Sequence, residues 1–120
     1  MIKISEEIKQ KVRNQIESVA SILGIKDIDS LIDRICSSDE KFPYDSDKIF
    51  KSIIDAYFGS NSVKDLVYLD LGAGYGLNML HGLLKGYNVY GVEPSPNSFK
   101  VRYAVAVDLM KENGVKCQTY

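Results

Sequence analysis

The 120-residue chain has a single histidine, His81, and only two cysteines, Cys36 and Cys117. There is no CxxC pair, and so few soft ligands leave no basis for a zinc-type metal site. Reduced thiols in a cytosolic protein are the expected state. No apolar run approaches the length that spans a bilayer. The charged opening MIKISEEIKQ does not read as a secretory signal. A soluble, cytoplasmic protein without a membrane partner is therefore expected. An excess of charge of one sign is missing too: 15 basic and 16 acidic side chains leave a net charge of −1. That balance gives no electrostatic case for nucleic acid or an acidic membrane surface. Internal repeats and low-complexity segments are also absent. What is present, 45% hydrophobic and 26% charged residues, is ordinary for a soluble globular domain, and the length fits one domain.

Two regions differ in pattern, a helical segment over residues 1–60 and an alternating strand–helix segment over 61–120. In the first, Ile4, Ile8, Val12, Ile16, Val19 and Leu23 recur at spacings of three and four, with Ser5 placed to cap the helix and Gly24 to stop it. A shorter helix is expected over Ser30 to Cys36. A third should start near Asp45 to Asp47, with Ile49/Phe50, Ile53/Ile54 and Tyr57/Phe58 forming a broad buried face. In the second region LVYLDL (66–71) reads as a buried parallel strand. LNMLHGLLK (77–85) reads as a helix with Leu77, Leu80 and Leu84 on one face. NVYGVE (88–93) is the next strand. Ser95 and Pro96 then make a strong start signal for a helix whose inner face is Phe99, Tyr103, Ala106 and Met110. The closing VKCQTY has the character of a third strand beginning. The fold class expected is α/β: N-terminal helices, then the first βαβα units of a Rossmann-like parallel sheet, truncated at the third strand.

The chemistry is concentrated in Asp70-Leu71-Gly72-Ala73-Gly74-Tyr75-Gly76 and in Val92-Glu93-Pro94-Ser95. A strand that runs through glycines into a helix start brings bare backbone and unpaired N–H donors to one place. Glu93 ends the second strand 21 residues after Gly72, where an acid can accept both hydroxyls of a ribose. Each hydrogen bond to such a carboxylate is worth roughly 1.5–3 kcal/mol. Either a dinucleotide or S-adenosylmethionine (SAM) satisfies that much. Three details separate them. The dinucleotide fingerprint GxGxxG or GxGxxA would put bulky Leu77 at its last position, and the pattern here is GxGxG. Asp70 would repel a pyrophosphate but attract the ammonium of an amino acid. SAM, a nucleoside joined to an amino acid and carrying no phosphate, suits an acid at each end.

DLGAGYG resembles motif I of class I SAM-dependent methyltransferases, written [D/E]-x-G-x-G-x-G, and GVEPSP resembles the motif that follows it. The resemblance covers residues 63 to 114. It implies that Asp70, Gly72, Gly74 and Gly76 border the methionine part of SAM and that Glu93 binds the ribose 2′ and 3′ hydroxyls. It puts Pro94 and Ser95 near the adenine edge. Ala73 and Tyr75 belong to the same loop, and Tyr75 either flanks the cofactor or is simply exposed. The family's sheet has seven strands, so the expected chain is its cofactor-binding half without the groups that usually follow the third and fourth strands. The activity implied is transfer of a methyl group from SAM to an unidentified acceptor.

Two other functions compete, a NAD-dependent oxidoreductase fragment and a non-catalytic scaffold of the methyltransferase fold. His81 has the chemistry of a general base, but its place in the body of a helix makes it a surface or packing residue. Tyr44 in FPYDSD either reaches the pocket or anchors its loop, the second being expected. Gly82, costly in a helix by about 1 kcal/mol, marks close packing against the sheet.

Overall fold

Three of the four N-terminal helices start where a short polar side chain can satisfy the orphan N–H groups of a first turn. In this computed structural model, which describes residues 2–37, 42–59, 64–93 and 99–118, Ser5 accepts from the Ile8 N–H and begins α1 (Glu6–Leu23). Gly24, left-handed at φ 69°, ends it. Asp27 accepts from the Ser30 N–H and begins α2 (Ile28–Ile35). Pro43 opens the single turn α3 (Pro43–Ser46), and Asp47 caps α4 (Lys48–Phe58) by accepting from the N–H groups of Ile49 and Phe50.

After α4 the chain alternates: β1 (Val67–Leu71), α5 (Leu77–Leu84), β2 (Asn88–Val92) and α6 (Phe99–Glu112). The two strands pair in parallel with Asp70 beside Gly91 and Leu71 beside Val92. The architecture is a mixed α/β one, mainly helical, around a two-stranded parallel sheet. Residues 115–118 form no assigned strand, but the Gln118 carbonyl accepts from the Gly91 N–H at 2.9 Å. The Gln118 amide also donates to the Val89 carbonyl. The chain thus returns along the edge of β2 that faces away from β1.

One face of the sheet is covered. Leu80, Val89, Leu109 and Met110 are fully buried there, and the same core continues into Ile8, Val12 and Ile16 of α1. Burying side chains of this size contributes roughly 1.5–3 kcal/mol each. Lys11 pairs with Asp108 at 2.6 Å and joins α1 to α6; Arg13 pairs with Asp29 at 2.6 Å and joins α1 to α2. Gly82 does pack closely: an added Cβ would lie 2.7 Å from both Phe42 and Val89. Tyr44 is an anchor. Its ring lies in an aromatic cluster with Phe50 and Tyr87, and its hydroxyl donates to Asp55.

Several expected buried faces are shallower. The apolar pairs of α4 divide: Phe50 and Ile54 reach the core, whereas Ile49, Ile53 and Tyr57 point outward and no residue of α4 is fully buried. A helix touched on one side can bury one stripe only. Leu84 and Tyr103 are also largely exposed, as is Leu23 at the free end of α1. Val67, Leu69 and Leu71 alternate onto the uncovered face of β1. Among the described residues, no helix is long and apolar enough to cross a membrane.

Candidate functional site

The loop between β1 and α5 turns through three left-handed glycines, Gly72, Gly74 and Gly76, at φ 75°, 58° and 85°. Non-glycine residues rarely hold such angles, so the spacing of the glycines sets the course of the loop. The N–H groups of Gly72 and Ala73 both donate to the Val92 carbonyl, at 2.7 and 3.0 Å. The loop is thereby held against the carboxyl end of β2. A Cβ at Gly72 or Gly74 would meet nothing within 4 Å, so these two glycines face open space. Gly76 differs, because a Cβ there would lie 3.0 Å from Met110 and 3.2 Å from Ala106. It is a packing glycine under α6.

Pairing brings the two acids to the same end of the sheet. Glu93 directly follows β2, and its Oε2 accepts from the Gly74 N–H at 2.8 Å. Asp70 lies in the last turn of pleat of β1, half-buried, with its Oδ2 buried and without a hydrogen-bond partner among the described residues. Burial, and then the negative charge of Glu93, push the Asp70 carboxyl above the usual carboxylate range. A buried acceptor without a donor is costly, which makes Asp70 the group in this site that most needs a cationic or N–H partner. Gly91, opposite Asp70, has no room for a side chain: a Cβ would lie 3.0 Å from Ala73 and 3.2 Å from the Met79 sulfur.

Beside the loop is a shallow hollow, open to solvent, lined by Ala73, Gly74, Gly76, Met79, Gly91, Glu93, Tyr103 and Ala106. Its wall is apolar except for Glu93 and the loop backbone. A mostly apolar wall with a few placed polar groups is the lining typical of small-molecule sites.

Of the nine residues expected from the sequence, seven come together at this end: Asp70, Gly72, Ala73, Gly74, Tyr75, Gly76 and Glu93. Pro94 and Ser95 lie outside the described residues, as do the Ser95 and Pro96 start signal and the side chain of Phe99. Tyr75 turns inward. Its hydroxyl bonds to the side-chain oxygen of Gln15 on α1, and burial raises its pKa despite the opposing charge of Arg102. His81 lies on α5, half-buried, and burial and then Lys85 lower its pKa.

Three contributions were not anticipated from the sequence. Arg102 on α6 pairs with Glu93, Nη1 to Oε1 at 3.1 Å. Gln15 reaches the glycine loop from α1. Met79 and Ala106 supply apolar wall. One signal was available for the site's floor: a glycine within a strand, as in NVYGVE, often marks a close approach of backbone or ligand. Nothing local distinguishes Arg102 or Gln15 from other polar helix residues. Among the described residues, no cluster of His, Cys, Asp and Glu could hold a metal ion. No protein-family model matches the chain, and neither a curated protein nor a solved structure matches it.

Proposed function

We propose that this end of the sheet binds S-adenosylmethionine and that the chain is the cofactor-binding portion of a Rossmann-like, SAM-dependent methyltransferase. The observation that carries the proposal is the pair of acids at the carboxyl ends of neighbouring parallel strands. Between them lies a glycine loop with open space at Gly72 and Gly74. SAM carries an ammonium at one end and a ribose diol towards the other. Asp70, half-buried with one oxygen that has no partner among the described residues, offers the ammonium a charge partner. Glu93 offers its carboxylate to the diol, and the apolar wall of Met79 and Ala106 offers a surface to uncharged parts of the ligand. The residues present therefore fit the group.

When bound, SAM supplies an activated methyl on a sulfonium, transferable in line to an oxygen, nitrogen, carbon or sulfur nucleophile. What the chain's own residues contribute is position. Acids at both ends and backbone without side chains in the middle restrict the ligand to one orientation, and orientation is a large part of the acceleration of such a displacement.

Calorimetric titration with SAM, S-adenosylhomocysteine and NAD tests this directly. SAM and S-adenosylhomocysteine should bind and NAD should not. Glu93→Ala should weaken both by a similar factor, roughly ten- to a hundredfold for a lost carboxylate contact, since both carry the same ribose. NAD binding more tightly than SAM, or unchanged affinities in Glu93→Ala, would sink the proposal.

A further inference from the structure

Arg102 reaches from α6 onto the acid that ends β2, and the two side chains are 33% and 11% exposed. The second Glu93 oxygen already accepts from the Gly74 N–H, so both oxygens of this carboxylate are engaged within the protein. The guanidinium itself is incompletely satisfied. Its Nε is buried without a hydrogen-bond partner among the described residues, and its carbon lies 5.9 Å from the centre of the Tyr75 ring. The strongest arginine–carboxylate pairs are made through two parallel N–H bonds. Here the ion pair to Glu93 is made through Nη1, and the inner donor has no partner among the described residues, so the contact is open to exchange for another.

A ribose diol donates two hydroxyls, and a carboxylate that accepts both must turn both oxygens toward it. Each oxygen keeps a second acceptor site, but Nη1 of Arg102, 3.1 Å from Oε1, competes with the diol for that oxygen and draws on its charge. Building on the nucleoside-binding site proposed above, we infer that Arg102 is an affinity-setting latch, which holds Glu93 until a ribose diol displaces it. On displacement the guanidinium stays beside the ring of Tyr75, whose face attracts a cation. Tyr75 is itself tied to α1 through Gln15. The latch therefore links the nucleoside end of the site to the N-terminal helix.

The apparent affinity scales with the fraction of molecules in which the latch is open, and salt weakens a partly buried ion pair only modestly. Adenosine is the probe of choice because it carries the ribose and no charge of its own. In the full chain, Arg102→Met should bind adenosine roughly three- to tenfold more tightly than wild type. Wild-type affinity for adenosine should rise between about 0.05 and about 1 M NaCl, while that of Arg102→Met stays flat. A purely structural arginine would give neither effect. Weaker or equal binding by Arg102→Met overturns the latch while leaving the nucleoside site standing. Absence of adenosine binding in both proteins at every salt concentration overturns the site and the latch together. If Arg102→Met melts early, Arg102→Gln carries the same expectation and the same refuting outcome.

Discussion

Asp70→Asn separates what this residue does for the fold from what it does for the site. The aspartate is half-buried, one oxygen lacks a partner among the described residues, and the negative Glu93 is close enough to raise its pKa further. Its folded-state pKa therefore lies above the ~3.9 of an unfolded chain. The sign follows: the stability tied to protonated Asp70 is fully present below the unfolded value and is lost as pH rises through the folded value. Asparagine has the same shape and no charge to lose. A buried polar group without a partner costs about 1–3 kcal/mol. The asparagine amide remains partly unsatisfied too, so relief of the charge alone should stabilise the variant by about 1 kcal/mol at pH 7, or roughly 3–6 °C in Tm. Below about pH 4 the two proteins should melt together, and the gap should open as pH rises. Affinity should move the other way, with SAM and S-adenosylhomocysteine weakened about tenfold or more by loss of the ammonium's partner. Melts by circular dichroism across this pH range, with calorimetry at pH 7, measure both. A variant that is less stable at pH 7, or a stability gap that does not change with pH, would refute the assignment of Asp70 as a strained, ligand-seeking acid.

Gly82→Ala would ordinarily gain about 1 kcal/mol of helix propensity, but its Cβ would lie 2.7 Å from Phe42 and Val89. Overpacking of this kind costs about 1–3 kcal/mol, so urea denaturation should show net destabilisation; a more stable variant would mean that α5 can move off the sheet at little cost. Gly74→Ala should retain near-native helical content, because its Cβ meets no protein atom and the strain of a side chain at φ 58°, about 1–2 kcal/mol, falls on the loop, yet lose much of its SAM affinity. Gly74→Val should abolish binding. Normal binding by Gly74→Val in a titration would put the ligand elsewhere.

The elements were written locally, because caps and periodicity act within a few residues. Ser5, Asp27 and Asp47 each accept from N–H groups of their own first turn, and Gly24 leaves α1 in a left-handed conformation open to few other residues. The same local grammar placed β1, the glycine loop, α5 and β2 within a residue or two of their observed bounds. It also marked Asp70 and Glu93 as strand-end acids. Depth of burial was decided elsewhere. Ile49 and Phe50 are equally apolar neighbours, yet Phe50 reaches the core and Ile49 is exposed, because only the packing of α4 determines which stripe faces inward. The same holds for Leu69 beside Tyr68 on β1, one on the open face and one in the aromatic cluster. Tertiary structure alone brought Arg102 to Glu93 and Gln15 to Tyr75. Gln15 and Tyr75 are 60 residues apart in the chain, and no periodicity within either segment encodes which helix will lie across the loop. A carboxylate's identity can be read from its position at a strand end, whereas its partner is fixed by helix packing, and that partner sets how readily the carboxylate can turn to a ligand.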